Sequence, residues 1–296
     1  MKYVLPKKVR KGDTIGIISL SGVIEDKKSF ERGVKKLEEI GYRVKVSERA
    51  FDKNHYLAGD DNDKVEELHN FFRSSEIDCI LCSRGGFGAI RIIDKIDYSI
   101  IRKNPKAFCG YSDVTALSAM ILKHAGLATY SSPMVVGDFG AENVSNFTLE
   151  NFVRALQGEY LEFKLRGDIS KETQGICFGG NLTTLASLCG RDFVPTEDFI
   201  LVIEDVNEPA YKIDRALSQL FSVTDFRQKI VGIVAGDFSE VDSLEDLEWV
   251  LNSYSNTLKI PIWYDLKLGH EAEKITMPFG EKCFIKENKI IFQRNT

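Results

Sequence analysis

The feature that most constrains the fold is a regular alternation of short apolar runs and amphipathic stretches over the first 140 residues. The runs predicted as buried strands are 13–20, 42–46, 77–82 and 107–110. Amphipathic stretches separate them, and Phe30, Val34 and Leu37 show the spacing of one helix face. This alternation predicts a parallel sheet with helices on both faces. Functional groups are then expected at the carboxyl ends of the strands.

The pattern changes between residues 135 and 170, where only 146–158 has helical spacing. A second unit follows, with predicted strands at 199–203 and 230–234, predicted helices at 209–221 and 243–252, and short strands after 260. A chain of 296 residues suits two domains. We therefore predict an α/β domain at 1–140, a linker at 141–168 and a smaller α+β domain at 169–296.

Composition excludes several classes of function. The net charge of -5 gives no electrostatic footprint for nucleic acid. No apolar run is long enough for a signal peptide or a membrane span, which predicts a cytoplasmic protein with no membrane partner and with free thiols. Cys79 and Cys82 lie three apart on a predicted strand and face opposite sides, which argues against a shared metal or redox role. No metal or cofactor is predicted.

One stretch combines a strand end, a glycine and a helix start. Ala107 to Cys109 end a buried strand, Gly110 permits a sharp turn, and helical spacing begins at Val114. Ser112 therefore lies where a nucleophile elbow would hold a reactive hydroxyl beside a helix N-terminus. The alternative is that Ser112 only caps the helix, a role that serine favours.

A serine nucleophile needs a base and an orienting acid. Of the four histidines, His270 follows a glycine in a loop and could approach a ligand, although an exposed loop histidine is the alternative. Glu204 and Asp205 end an apolar strand, and strand alternation allows only one of them to face a cleft. The alternative is that one carboxylate pairs with Arg215 and the other is solvated.

The glycine-rich turn at 84–88 follows another predicted strand. It does not match the dinucleotide fingerprint or the P-loop. A better use is an oxyanion hole, because glycine lets a backbone N–H approach a reacting carbonyl. A plain turn remains the alternative.

These pieces together resemble the bacterial LD-carboxypeptidase family of serine peptidases over nearly the whole chain. The matching stretches are Gly12-Asp13-Thr14-Ile15-Gly16-Ile17, Tyr56-Leu57-Ala58-Gly59-Asp60, Ser83-Arg84-Gly85-Gly86-Phe87-Gly88, Asn104-Pro105-Lys106, Gly110-Tyr111-Ser112-Asp113, Gly179-Gly180-Asn181-Leu182, Glu204-Asp205-Val206-Asn207-Glu208-Pro209, Ile213-Asp214-Arg215 and Gly269-His270.

The resemblance implies a Ser-His-Glu triad of Ser112, His270 and Glu204. It also implies an oxyanion hole built from the backbone N–H groups of Gly86 and Asp113. The implied fold is an amidotransferase-like parallel α/β domain, followed by a smaller domain that supplies the acid and the histidine. Family members are often dimers, so a homodimer is expected.

The implied function is hydrolysis of the L,D bond before the terminal D-Ala of murein tetrapeptides during cell-wall recycling. Two alternatives stay open: a hydrolase of aminoacyl-adenylate analogues like the microcin C immunity protein, and a murein-peptide sensor without catalysis. Stretches 208–211 and 213–215 favour the murein enzyme over the first, and the intact serine, glutamate and histidine argue against the second.

Arg84, Asn181 and Arg215 are candidate substrate contacts, each of which could equally be structural.

Overall fold

Two sheets organise the computed structural model, which describes residues 3–292. The strands are β1 (Thr14–Ile18), β2 (Arg43–Val46), β3 (Cys79–Cys82), β4 (Ala107–Cys109), β5 (Thr129–Ser131), β6 (Leu161–Lys164), β7 (Arg166–Gly167), β8 (Thr173–Asn181), β9 (Phe199–Val206), β10 (Ile230–Ser239), β11 (Ile262–Tyr264), β12 (Met277–Phe279), β13 (Lys282–Lys286) and β14 (Lys289–Phe292). The outer ends of both predicted domains, 1–2 and 293–296, lie outside the described residues.

The helices cover both sheets. They are α1 (Lys27–Glu39), α2 (Asp61–Arg73), α3 (Ala89–Ile92), α4 (Tyr98–Lys103), α5 (Thr115–Met120), α6 (Asn146–Leu156), α7 (Leu182–Ala186), α8 (Ala210–Ser222), α9 (Thr224–Lys229) and α10 (Leu244–Leu258). Asp26 caps α1 and Asp60 caps α2 by accepting hydrogen bonds from Ser29 N and Asn62 N. A π-helical turn over residues 121–125 continues α5.

The first sheet has the order β12-β5-β4-β3-β1-β2, and its pairs from β5 to β2 are all parallel. Strands β1, β3 and β4 are buried along their whole length, which explains their continuous apolar sequences. The predicted α/β class is therefore confirmed. Strand β12 comes from the far end of the chain and joins β5 in antiparallel pairing.

The second sheet has the order β6-β14-β13-β8-β9-β10-β11-β7. Its centre, β8 to β11, is parallel, and the strands outside it pair antiparallel. Strand β8 is not among the predicted strands, and three of its nine residues are glycine, which is depleted in strands. The glycines permit close packing: a Cβ on Gly179 would lie 1.8 Å from the carbonyl oxygen of Val202 on β9.

The predicted linker at 141–168 contains the expected helix α6, but it also contains β6 and β7, where a loop was expected. Both are outer strands of the second sheet, and their short, charge-bearing sequences are typical of sheet edges. The two units also share hydrophobic cores, since Ile18 and Phe108 of the first belong to the same buried cluster as Leu201 of the second. Side chains from both units can therefore meet at one site.

Candidate active site

Ser112 lies at a strained turn between β4 and α5. Its φ of 61° is in the left-handed region, which is uncommon for residues other than glycine. The N-cap positions before the 3-10 turn at 112–114 and before α5 are occupied by Tyr111 and Val114, so Ser112 is not the helix cap of the alternative interpretation. Strain of this kind is found at functional sites and is the geometry of a nucleophile elbow.

The glycine-rich turn after β3 packs directly against Ser112. A Cβ on Gly85 would lie 2.9 Å from both Cβ and Oγ of Ser112, so only glycine fits there. The next residue, Gly86, is exposed and has a φ of 117°. The backbone of Gly86 packs against the backbone of Gly22. The N–H of Gly22 in turn donates a hydrogen bond of 3.1 Å to the carbonyl oxygen of Gly85. The turn therefore presents backbone next to the serine, as an oxyanion hole requires.

Asp113 ties the elbow to the glycine-rich turn. Its buried carboxylate accepts a hydrogen bond of 2.8 Å from the N–H of Ala89, the first residue of α3. Burial raises the pKa of this carboxyl above its ordinary value, while the bond from Ala89 opposes the rise. The side chain of Asp113 therefore links the elbow to the start of α3.

Glu204 and His270 come from the second unit and form a hydrogen-bonded pair. Glu204 Oε2 lies 2.9 Å from His270 Nδ1, and the carboxylate side chain is 1% exposed. Burial raises the pKa of Glu204, and the contact with His270 lowers it. Because Glu204 occupies Nδ1, the other ring nitrogen, Nε2, is left to exchange a proton with a nucleophile.

Gly269 lets the histidine loop approach this acid closely. Its φ is 150°, and a Cβ there would lie 2.9 Å from Cβ of Asp237 and 3.4 Å from Glu204 Oε2. The Gly-His pair in the sequence therefore has a steric reason. A larger residue before His270 would push the imidazole away from its acid.

Tyr111 joins the two halves of the site. It immediately precedes Ser112, and its ring centroid lies 4.9 Å from that of His270. The elbow of the first unit and the histidine of the second are therefore in contact. Lys274 and Asp138 also reach Tyr111 here, although neither residue carries a signal in the sequence that separates it from an ordinary surface charge.

Asp205 faces away from His270. Its carboxylate accepts hydrogen bonds from Asn181 Nδ2, from the N–H and hydroxyl of Thr183, and from the N–H of Val206. Asn181 uses its other amide atom, Oδ1, to cap α7 by accepting from Thr184 N over 3.0 Å. Both residues thus organise the start of α7, and Asp205 is not solvated.

The two arginines singled out in the sequence differ in position. Arg84 is half-buried, and it donates from Nη1 to the carbonyl oxygen of Val23 over 3.0 Å and from Nε to that of Gly85 over 3.3 Å. Arg215 is exposed on α8, with its guanidinium 5.5 Å from the ring centroid of Tyr211. The alternative interpretation, in which one of the Glu204-Asp205 carboxylates pairs with Arg215, is therefore not supported.

Two of the remaining histidines, His69 and His124, have structural contacts, whereas His55 is exposed. His69 Nε2 accepts from the N–H of Asp97, and His124 packs on Tyr98. All six cysteines are free thiols.

Among residues 3–292, no group of three or more histidine, cysteine or carboxylate side chains could hold a metal ion. No helix in the same range is long and apolar enough to cross a membrane.

A serine on a strained elbow, a glycine-rich turn packed against it and a buried Glu-His pair on an α/β fold are features that serine-type hydrolases use. Two family models match the chain: the LD-carboxypeptidase N-terminal domain at residues 15–132 and the LD-carboxypeptidase C-terminal domain at 174–285. The chain belongs to the LD-carboxypeptidase family of serine peptidases.

Individual relatives agree with this assignment. A Bacillus subtilis protein named "Probable murein peptide carboxypeptidase" is 36% identical over 294 residues, covering 94% of this chain and 90% of that protein. The crystal structure of an MccF-like protein from Bacillus anthracis matches with a TM-score of 0.89 and 28% identity, over 99% of this chain and 100% of that one. That of muramoyltetrapeptide carboxypeptidase from Oxalobacter formigenes matches with a TM-score of 0.87 and 28% identity, over 96% and 100%.

Proposed function

We propose that this protein is a serine carboxypeptidase that hydrolyses the L,D bond before the terminal D-Ala of murein tetrapeptides in cell-wall recycling. The observation that carries the proposal is the buried Glu204–His270 pair, with 2.9 Å between Oε2 and Nδ1, whose imidazole packs on Tyr111, the residue that precedes the strained Ser112. The names of the Bacillus subtilis and Oxalobacter formigenes relatives support the substrate class.

In the proposed mechanism, Ser112 Oγ attacks the scissile carbonyl while His270 Nε2 accepts its proton. Glu204 holds the imidazole in the required tautomer and stabilises the imidazolium. The N–H groups of Gly86 and Asp113 stabilise the oxyanion. D-Ala leaves with the proton from His270, and water, deprotonated by the same histidine, hydrolyses the acyl-enzyme.

An exopeptidase must also recognise the terminal carboxylate. Arg84 is our candidate, because its guanidinium is held beside the exposed Gly86 by bonds to two carbonyl oxygens. Arginine suits this role since its planar fork binds carboxylates in a bidentate geometry. Arg215 is a second candidate, with its guanidinium over the ring of Tyr211 on α8. Asn181 is the weakest of the three, because its amide is engaged by Asp205 and Thr184.

A second candidate function is hydrolysis of aminoacyl-adenylate analogues, as in microcin C immunity. The match to the MccF-like protein is the observation behind it, since its TM-score of 0.89 is as high as that of the carboxypeptidase, 0.87. Backbone similarity therefore does not separate the two reactions. The substrate assay below does.

The test uses four peptides at equal concentration, with products detected by mass spectrometry. The free tetrapeptide ending in D-Ala is expected to be cleaved. Three analogues are expected to be poor substrates: the C-terminally amidated tetrapeptide, the pentapeptide, and the tetrapeptide with a D-centre before the scissile bond. A site that pairs a charged carboxylate rejects ligands lacking it, because its own polar groups lose their partner.

If the amidated peptide or the pentapeptide is cleaved as fast as the free tetrapeptide, the carboxypeptidase proposal is wrong. An aminoacyl-sulfamoyl adenosine is then the next substrate. A fluorophosphonate probe separates an enzyme from a sensor, because only a competent serine reacts. Failure of the wild-type protein to react would favour the sensor.

Location and assembly belong to the same proposal. A cytoplasmic location fits the six free cysteines, since thiols stay reduced in that compartment. A homodimer is the assembly that the family resemblance implies, and sedimentation equilibrium tests it directly. A monomer at assay concentration would contradict the dimer while leaving the reaction unaffected.

A further inference from the structure

Lys274 is a buried cation four residues after His270. The residue is 3% exposed, and its Nζ lies 2.6 Å from Oδ1 of Asp138 and 3.0 Å from the hydroxyl oxygen of Tyr111. Asp138 and Tyr111 belong to the first unit, whereas Lys274 comes from the histidine loop of the second. The lysine therefore links the loop that carries His270 to the unit that carries Ser112.

Tyr111 contacts both the ammonium of Lys274 and the imidazole of His270. Its ring centroid is 4.4 Å from Lys274 Nζ and 4.9 Å from the centroid of the His270 ring. Its hydroxyl is also 3.4 Å from Oδ1 of Asp138. A displacement of Lys274 would thus move the tyrosine ring against which the imidazole packs.

The two ends of this contact are themselves held in place. Asp138 Oδ2 accepts a hydrogen bond of 2.8 Å from the N–H of Met134. The N–H of Lys274 donates to Oγ1 of Thr148 over 3.1 Å. By contrast, the acid partner of His270, Glu204, belongs to the second unit. The contacts around Lys274 are therefore suited to setting the distance from His270 to Ser112.

We propose that three positioning residues, Lys274, Asp138 and Tyr111, fix the distance between the imidazole of His270 in the second unit and Ser112 in the first. This inference rests on the proposed serine mechanism. None of the three needs to touch the substrate. Their role is geometric, and a misplacement of about 1 Å can cost about a hundredfold in rate.

Stability alone is a poor explanation for this buried ion pair. Desolvation of two charges offsets most of their attraction, so an uncharged replacement of both partners is often neutral. Removing only one partner, however, leaves the other charge buried and unpaired. The two roles are therefore separated by comparing Lys274→Met with the double variant Lys274→Met/Asp138→Asn, whose asparagine keeps an oxygen for the N–H of Met134.

The experiment measures three quantities for each full-length variant: the melting temperature, kcat and KM on the free tetrapeptide, and the rate of labelling by a fluorophosphonate. The single variant should be less stable. The double variant should melt close to the wild type, yet lose at least about tenfold in kcat and in labelling rate, with little change in KM. A double variant with wild-type kcat and labelling rate overturns the proposal.

Two further variants cover the case in which the double variant does not fold. Tyr111→Phe keeps the ring beside His270 and removes only the hydroxyl, whose oxygen accepts the hydrogen bond from Lys274 Nζ. This variant should fold, and its kcat and its labelling rate should each be lower by about threefold or more. Wild-type rates in Tyr111→Phe would then overturn the proposal. The matched control is Lys123→Met, which breaks another contact between the units, to Asp192 and to the carbonyl oxygen of Val194, and should not alter either rate.

The labelling rate keeps this inference distinct from the proposed substrate. If the wild type reacts with the probe but does not cleave the tetrapeptide, the substrate proposal fails. The comparison of labelling rates among variants still decides the role of Lys274.

Discussion

The two acids at the end of β9 provide a sharp test of the site. We expect Glu204→Gln to lower kcat by about three orders of magnitude and Asp205→Asn to lower it by less than about tenfold. The residues are adjacent, chemically similar and both buried, so the comparison holds sequence position and burial nearly constant. They differ in the direction of the side chain and therefore in their hydrogen-bond partners.

The magnitude follows from the contact with His270. The Glu204 Oε2 to His270 Nδ1 distance is 2.9 Å, which places the charge centres of a carboxylate and an imidazolium roughly 4 Å apart. At an effective dielectric constant of about 20, that attraction is about 4 kcal/mol. Since each 1.4 kcal/mol or so changes a rate about tenfold, losing the charge in the transition state costs about 10³ in kcat. The glutamine amide can also donate to Nδ1 and stabilise the wrong tautomer.

Asp205→Asn perturbs a different part of the molecule. It replaces one acceptor oxygen with a donor that faces either Asn181 and the N–H of Val206 or Thr183, so we expect a loss of about 1 to 3 kcal/mol in the free energy of unfolding, centred on α7. Steady-state kinetics on the free tetrapeptide and urea denaturation measure the two effects. If Asp205→Asn loses more kcat than Glu204→Gln, our assignment of the acid is refuted.

Three further outcomes are expected. Ser112→Ala should fold normally but lose at least about 10³ in kcat and all fluorophosphonate labelling; labelling at another residue would contradict the nucleophile assignment. Gly85→Ala should lose much of kcat without a matching loss of substrate affinity, because its methyl group would lie 2.9 Å from Ser112 Oγ; wild-type kcat would show that the turn relaxes freely. Burial raises the pKa of Asp237 from its ordinary 3.8 to about 6, so the fold favours the protonated form and loses stability as pH rises from about 4 to about 7. Allowing for partial exposure, Asp237→Asn should therefore exceed the wild type by about 1 to 2 kcal/mol in urea denaturation at pH 8 and show no such gain at pH 4. An equal difference at both pH values would contradict this pKa.

Local patterns in the sequence were sufficient for strands β1 to β4 of the first sheet, and they indicated the turn at Ser112; β5 was not predicted, and β12 was assigned to the second unit. Strands buried on both faces are continuous apolar runs, and the helices that cover them repeat their apolar residues at 3.6-residue spacing. Both signals lie within a few neighbouring residues. The same is true of Gly110 and Ser112, since a sharp turn between a strand and a helix needs only adjacent positions.

The sequence by itself thus determined the α/β class, the elbow at Ser112 and, through family motifs, the candidates Glu204 and His270. The tertiary structure decided which residues meet. The pairing of β12 with β5 joins segments far apart in the chain, and the glycines of β8 suit a strand only because β9 approaches so closely.

Lys274 shows the physical reason most clearly. In the sequence it is indistinguishable from the lysines of a solvated surface, and nothing local predicts that it is buried. Its burial depends on Asp138 and Tyr111, more than 130 residues away, which compensate the charge only after both units are assembled. Contacts of this kind depend on the folded positions of distant segments, so only the tertiary structure reveals them.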